Sequence, residues 1–469
     1  MWHEGSKKMA ANELTVTETA IPGLLIIDLP VHGDNRGWFK ENWQREKMLA
    51  LGLPDFGPVQ NNMSFNGKTG TTRGIHAEPW DKYVSVAAGR FFGAWVDLRE
   101  GDSFGAVVTV EVGPERAVYV PRGVGNSYQT LEDNTAYSYL VNDHWSPAAS
   151  YTFLNLADET ANIPWPIALA DVEMSAKDIA HPRLADVVPM KPSRTLVLGA
   201  GGQLGLALRA EFPDAEFVSR AEFDVSDPAA YASKHWGDYD TIINAAAYTK
   251  VDEAETATGR PDAWAGNVSA VALLAQVATA NGLILVHVSS DYVFDGTADS
   301  HTEDEPFSPL GVYGQTKAAG DALVSTVPRH YIVRTSWVIG EGNNFVRTMA
   351  SLAERGIAPS VVNDQIGRLT FTTDLAAGIR HLLSAKAAFG TYNLSNAGEP
   401  LSWAAIAARV YELTGRSAAD VTGVSTEQYF KGKSVAPRPL GSVLSLDKIT
   451  ATGFVPRDAD EALREYLGA

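Results

Sequence analysis

The sequence predicts two folds in series: an antiparallel β-barrel or jelly roll, then a doubly wound parallel α/β sheet carrying a small extra lobe. Three observations predict this. From about Leu24 to Tyr139 the chain consists of short β-branched and aromatic runs punctuated by glycine and proline, with little helical periodicity. Asp178 to Arg194 then holds three prolines and ends Lys191-Pro192-Ser193-Arg194, a linker composition. After it, apolar strand-like runs alternate with alanine-rich stretches, the rhythm of βαβ units. The expected boundaries are residues 1–187 for the first unit, 188–194 for the linker and 195–469 for the second unit.

In the first unit, Val84 to Val86, Phe91 to Leu98, Val107 to Val112 and Val118 to Val120 read as strands. In the second, Leu196 to Leu198, Thr241 to Ile243, Leu283 to Val288 and Tyr331 to Val333 do so. Leu206 to Phe212, Ser269 to Ala280 and Ala318 to Ser325 read as helices between them. Leu401 to Ala469 supplies further helices, expected as a small lobe over the carboxyl edge of the sheet. The 469 residues and 45% hydrophobic content suit two or three ordinary domains.

The net charge of −18 argues against nucleic acid or a membrane surface as partner, so an anionic substrate must be met by local Arg and Lys. With no cysteine, disulfide and thiolate chemistry are excluded. The amino terminus shows no long apolar core and no apolar run reaches membrane length, so no leader or span is expected and the location is expected to be cytoplasmic.

The segment Gly199-Ala200-Gly201-Gly202-Gln203-Leu204-Gly205 joins a strand to a helix. Glycines there let the backbone approach a pyrophosphate, and the helix N-terminus offers free N–H groups, so Gly199, Gly202, Gln203, Leu204 and Gly205 are candidate dinucleotide contacts. Tyr313 and Lys317 stand at i and i+4, on one helical face, and Lys317 could lower the pKa of the phenol while holding a ribose hydroxyl. Ser290, after a strand, could hydrogen-bond the same carbonyl. The second strand ends Val218-Ser219-Arg220 without the acid that favours NADH, which points to NADPH, with NADH as the alternative. Trp337 suits stacking on a sugar or base, and equally packing. Asp364 and Gln365 suit substrate contact or a turn. The acidic run Glu303-Asp304-Glu305 reads as a solvated loop, and His32, His144, His235, His330 and His381 as structural or exposed.

These residues resemble the extended short-chain dehydrogenase/reductases, and more closely the dTDP-4-dehydrorhamnose reductase family. The resemblance runs from Thr195 to about Leu467. It includes Asn244-Ala245-Ala246-Ala247-Tyr248-Thr249, Ser289 to Gly296, Arg334-Thr335-Ser336-Trp337 and Asp364-Gln365-Ile366-Gly367. It implies a Rossmann fold, Asp224 and Val225 beside the adenine, Ala246, Ala247 and Tyr248 along the cofactor, and Ser290, Tyr313 and Lys317 as the catalytic set.

Upstream, His76, Lys82 and Tyr139 are of the right types for proton abstraction next to a carbonyl: a base, a cation for the enolate, and a phenol to return a proton. By itself a lone histidine in a β domain is more often structural. The wider sequence resembles the cupin-fold dTDP-4-dehydrorhamnose 3,5-epimerases from about Gly23 to Val187. It does so through Asp34-Asn35-Arg36-Gly37-Trp38-Phe39 with Glu41, Gln60-Asn61-Asn62-Met63-Ser64, Arg73-Gly74-Ile75-His76 and Ser175-Ala176-Lys177-Asp178. The resemblance implies His76 as base, Tyr139 as acid and Asp178 as the partner of His76. Arg36, Glu41, Gln60, Asn62, Arg73 and Lys82 would hold nucleotide, diphosphate and sugar. Three departures stand out: a shortened loop between His76 and Lys82, Asn126 where the family has a histidine, and a family Glu lost near Ser150. Asn126 can donate a hydrogen bond but no charge. No metal is expected, since the cupin ligand positions read His76-Ala77-Glu78 and Asn126.

The two resemblances imply consecutive steps on one dTDP-sugar by a homodimeric bifunctional enzyme: epimerisation of dTDP-4-dehydro-6-deoxy-D-glucose at C3 and C5, then NADPH-dependent reduction at C4 to dTDP-L-rhamnose. The alternatives are the same chemistry on another nucleotide sugar, such as a UDP-sugar or one inverted at a single carbon, and a non-catalytic NADP-binding subunit.

Overall fold

The central strands of the first unit are buried on both faces, which explains the nearly unbroken apolar run of one of them: every residue of Phe91–Asp97 is buried. The computed structural model describes residues 13–145 and 151–469, and the chain divides into units 1–193 and 194–469. The expectation of no leader at the amino terminus, and the departure near Ser150, fall on residues outside those described.

The first unit has two antiparallel sheets. One runs in the order Thr15–Glu18, Leu25–Asp28, Arg116–Val120, Lys82–Ala88, Thr135–Val141, Gln60–Asn66, and the other Thr152–Phe153, Thr72–Ala77, Val124–Thr130, Phe91–Asp97, Val107–Val112. Val84, Val86 and Val118 of the first pack with Phe91, Trp95 and Tyr128 of the second, so a core lies between the sheets as in a jelly roll. On the outer face of the first sheet, Ile27, Tyr83 and Tyr119 meet Met48 of the helix Arg45–Ala50. On the outer face of the second, Ile75, Ala94 and Val96 are covered by Leu154, Leu184 and Met190. That last contact shortens the expected linker. Met190 donates its N–H to the Leu98 carbonyl at 2.8 Å and accepts from Glu100 at 2.9 Å, and Arg194 already belongs to the next strand.

The second unit holds six parallel strands in the order Glu216–Val218, Arg194–Leu198, Tyr239–Asn244, Ile284–Ser290, His330–Thr335, Gly390–Asn393. Helices cover both faces. Val271, Leu274 and Val324 pack on one core, and Leu204, Leu208, Leu375 and Ile379 on the other. The winding reverses between Arg194–Leu198 and Tyr239–Asn244. A ligand crevice opens at such a switch point, beyond the carboxyl ends of the strands.

Two expectations change here. The helical stretch Gly259–Ala280, 22 residues long, is apolar enough by length and composition to cross a membrane. Arg260, Asp262 and Asn267 interrupt it, so it did not read as one apolar run, and its Val271, Leu274 and Ala278 are buried against the sheet. The lobe also begins earlier than Leu401. Ile339, Val361 and Phe371 share its core with the helices Phe345–Glu354, Trp403–Leu413 and Ala459–Leu467.

Candidate active sites

In the first unit, His76 lies near the end of the strand Thr72–Ala77, and Asp178 on the short helix Ala176–Ile179. Ser175 caps that helix by accepting the Asp178 N–H at 3.0 Å, which fixes the carboxylate. His76 Nε2 lies 3.0 Å from Asp178 Oδ1. Burial pushes the Asp178 carboxyl up, but the hydrogen bond from His76 and the attraction to it outweigh burial and hold it below its ordinary value. A carboxylate in that place takes the Nε2–H of the neutral imidazole and leaves Nδ1 as the proton acceptor.

Asn126 faces His76 across the ladder of strands. Its Oδ1 accepts from Trp95 Nε1 at 3.0 Å and from the Tyr137 hydroxyl at 3.1 Å. Both acceptor directions are used, so the amide turns its N–H groups away from that pair as free donors. The Tyr137 ring lies 5.7 Å from that of Tyr139, and Lys82 Nζ lies 5.7 Å from the Tyr139 ring centre. Lys82 is buried and ion-paired with Glu78. Burial and then Glu78 raise the Tyr139 phenol, with Arg73 opposing, so it keeps its proton at neutral pH. Arg73 is held by Asn66 Oδ1 at 3.2 Å, and Asn62 sits opposite Tyr139. Gln60 joins Asn62 at 2.8 Å and His144 at 3.0 Å. Arg36 and Glu41 lie in exposed pairs with Asp34 and Lys47. Among the described residues, His76, Asp178 and His181 form one trio whose ligand atoms lie within 4.8 Å of one another.

In the second unit the glycine turn sits at the switch point. Gly199 has φ +83°, and a Cβ on it would come within 2.8 Å of the Ala246 nitrogen. A Cβ on Gly205 would lie 2.2 Å from the Gly199 carbonyl oxygen, whereas one on Gly201 would meet nothing within 4 Å. So the turn is closed behind and open in front. No side chain caps the helix Gln203–Glu211, and Gln203 Oε1 is buried without a partner. Leu204 is buried beneath the turn. An uncapped helix start, an open glycine and an unpaired acceptor suit a dinucleotide pyrophosphate. Ala246 and Ala247 follow the neighbouring strand, and Tyr248 is pinned by Asn267, which accepts its N–H at 2.9 Å. Asp224 accepts the Ser226 N–H at 2.9 Å, and Val225 packs beside the core. Arg220 is 85% exposed and tied only to Asp224, at 3.2 Å.

Tyr313 and Lys317 lie on the helix Val312–Val324, and Ser290 ends the strand Ile284–Ser290. Burial pushes the Tyr313 phenol up to about 12, with the Ser290 hydroxyl opposing. That differs from the expectation that Lys317 lowers it: Lys317 Nζ donates to the Val288 carbonyl at 2.8 Å instead. A protonated phenol is the form required of an acid. A cavity of about 300 Å³ nearby is lined by Tyr292, Trp337, Phe345, Trp403, Arg438 and Ser442, among others. Trp337 stacks on Trp403 at 3.8 Å, so it both packs and walls the cavity. Gln365 also lines it, while the Asp364 carboxylate accepts the Thr426 N–H and hydroxyl, a turn role.

Sequence reasoning missed several groups. Asn267, in a π-helical turn, ties Tyr248 to Thr316 beside Lys317. Glu78, His181 and His287 were passed over too. A polar residue inside the apolar run Leu283 to Val288 was the available signal for His287. The acidic run is only partly solvated: Asp304 is exposed, but Glu303 accepts the Asn393 N–H at 2.9 Å and Glu305 meets buried His301 at 2.9 Å.

Two family models match the chain: residues 193–469 match the RmlD substrate binding domain, and residues 18–186 match dTDP-4-dehydrorhamnose 3,5-epimerase. A Streptococcus pyogenes protein called "Protein RmlC homolog" is 52% identical over 179 residues, 37% of this chain and 90% of that protein. The dTDP-4-dehydrorhamnose reductase of Sinorhizobium fredii is 38% identical over 294 residues, 59% of this chain and 97% of that one. The crystal structure of dTDP-4-dehydrorhamnose reductase from Bacillus anthracis in complex with NADP is 32% identical, with a TM-score of 0.54, and covers 59% of this chain and 98% of that one.

Proposed function

Because this chain belongs to the dTDP-4-dehydrorhamnose 3,5-epimerase family through residues 18–186 and to the RmlD family through residues 193–469, we propose that it performs both steps between dTDP-4-dehydro-6-deoxy-D-glucose and dTDP-L-rhamnose. The observation that carries this reading is the presence, in one chain, of a His76–Asp178 dyad and a Ser290, Tyr313, Lys317 set behind a glycine cradle.

The C4 ketone acidifies the protons on C3 and C5. His76 takes such a proton while Asp178 holds the resulting imidazolium. The Lys82 ammonium and the Asn126 N–H stabilise the enolate oxygen, and Tyr139 returns a proton from the opposite face, which inverts the centre. Asp178→Asn is expected to slow solvent deuterium exchange at C3 and C5 about a hundredfold, read by NMR without NADPH, because the amide no longer favours the imidazolium.

NADPH supplies the hydride for C4 in the second step. The turn from Gly199 to Gly205 would hold its diphosphate, and the exposed Arg220 would meet a 2′-phosphate. Ser290 orients the ketone oxygen and Tyr313 donates the proton that turns it into a hydroxyl. Gly205→Ala is expected to abolish NADPH binding in a fluorescence titration, since the added methyl strikes the Gly199 carbonyl, and to leave solvent exchange at C3 and C5 intact.

Trp38, Phe39, Met63 and Phe65 are exposed on the hairpin Val31–Lys40 and on the strand Gln60–Asn66, which ends its sheet with only one neighbour. That supports a homodimer through this edge. The charge of −18 supports a small-molecule partner over nucleic acid or a membrane.

Incubating the purified chain with the keto-sugar nucleotide and NADPH tests the whole reading. Oxidation of NADPH with an L-rhamnose product by NMR is the expected result, and no oxidation would overturn it. Competition by the UDP-linked sugar reports the nucleotide preference.

A further inference from the structure

His287 is buried in the strand Ile284–Ser290, behind the catalytic helix, where the mechanism above makes no use of it. A run of hydrogen bonds fixes which of its nitrogens carries the proton. Ala246 donates its N–H to Asn244 Oδ1 at 3.2 Å. Asn244 must therefore present its amide N–H to the ring, and Asn244 Nδ2 lies 3.1 Å from His287 Nδ1. Nδ1 is thereby an acceptor, and the neutral ring carries its proton on Nε2. Nε2 lies 3.4 Å from Lys317 Nζ. An ammonium there sets donor against donor, whereas a neutral amine accepts the Nε2–H and still donates to the Val288 carbonyl.

We propose that His287 is a positioning residue for the reductase step: with its tautomer fixed by Asn244, it faces Lys317 with an N–H that the neutral amine accepts and the ammonium cannot. This rests on the reductase reading of Tyr313 and Lys317. Besides burial, the charged groups around Lys317 do not favour its neutral form. Tyr313 and Asp321 lie on its own helix, and Asp291 lies on the turn after the His287 strand. Asp321 favours the ammonium but is engaged by Arg334 of the next strand, Nε to Oδ2 at 3.0 Å. Burial carries Lys317 down to about 8, with Asp321 opposing, and burial and then Lys317 hold His287 well below its ordinary value. Both directions agree with a neutral ring beside a weakly held proton.

The test needs no turnover. In protein labelled at the lysine ε-carbons, the Lys317 resonance, identified by its loss in Lys317→Met, is titrated in the free protein. The wild type is expected to titrate near 8. His287→Leu keeps the site dry but removes the N–H, and the midpoint is expected to rise by about one unit. Asn244→Asp keeps the ring but demands an Nδ1–H, which turns the Nε2 lone pair to Lys317, and it too is expected to raise the midpoint. If His287→Leu does not fold, Asn244→Asp decides. The alkaline limb of the kcat profile for NADPH oxidation should move with the midpoint. A wild-type midpoint near the ordinary lysine value of about 10.4, or a midpoint unmoved in the folded variants, overturns the proposal. Failure of the wild type to oxidise NADPH would instead sink the reductase reading and leave the titration standing.

Discussion

His76→Asn is expected to abolish solvent deuterium exchange at C3 and C5, by about a thousandfold or more, while reduction of a pre-epimerised keto-sugar continues at the wild-type rate. Asparagine offers no basic nitrogen, so the carbon-bound proton has no acceptor. The Asp178 carboxylate, held below its ordinary value, is too weak a base to substitute. The separation of effects matters as much as their size. His76 belongs to the unit 1–193, and Tyr313 and Lys317 to the unit 194–469. A variant that loses both activities would contradict the assignment of one step to each unit. NMR of the sugar protons in deuterium oxide reads the first activity, and NADPH absorbance reads the second.

Tyr313→Phe is expected to reverse the pattern. Exchange at C3 and C5 should persist, and NADPH oxidation should fall about a thousandfold, within the range that a positioned general acid contributes. The phenol is pushed up to about 12 by burial, so it is fully protonated across the working range, and an alkoxide forming at C4 is basic enough to take its proton. Phenylalanine keeps the edge contact now made to Tyr292 at 5.4 Å and removes only the hydroxyl. NADPH affinity should therefore change little, which a binding titration would verify. Unchanged turnover in this variant would favour a non-catalytic, cofactor-binding role for the second unit.

Much of this was legible in the chain because local chemistry dictated it. The glycine turn could be read because a pyrophosphate needs bare backbone, and the Cβ tests at Gly199 and Gly205 give the same steric reason from the inside. The central strands of the first unit, such as Phe91–Asp97, were visible because burial on both faces leaves long apolar runs. The boundaries were less legible. Met190 lies in proline-rich sequence, and its hydrogen bonds with Leu98 and Glu100, distant in sequence, make it part of an edge. The lobe's early start depends on Ile339 and Phe371 packing with helices that begin after residue 400, a pairing that no local pattern reports.

The sites divide along the same line. His76, Asp178, Tyr139 and Lys82 were named from short motifs, and the structure brings His76 to Asp178 and Lys82 to Tyr139. Arg36 and Glu41 were named the same way, yet they lie in exposed pairs of their own. Glu78, Asn267 and His287 act on neighbours through side-chain contacts across elements, so their part emerges only when the chain is folded. The acidic run misled for a related reason. Glu303 faces Asn393, a partner distant in sequence that no linear reading could supply, while Glu305 pairs with His301 only four residues before it.

The seam between Ser193 and Arg194 has a consequence for dosage. Separate polypeptides can be made in unequal amounts, and a surplus of the isomerising partner would let a reactive keto-sugar pool accumulate. One continuous chain fixes the two active centres at one copy each in every molecule translated. Flux between them is then tuned by turnover numbers alone, and a change in gene expression scales both steps together.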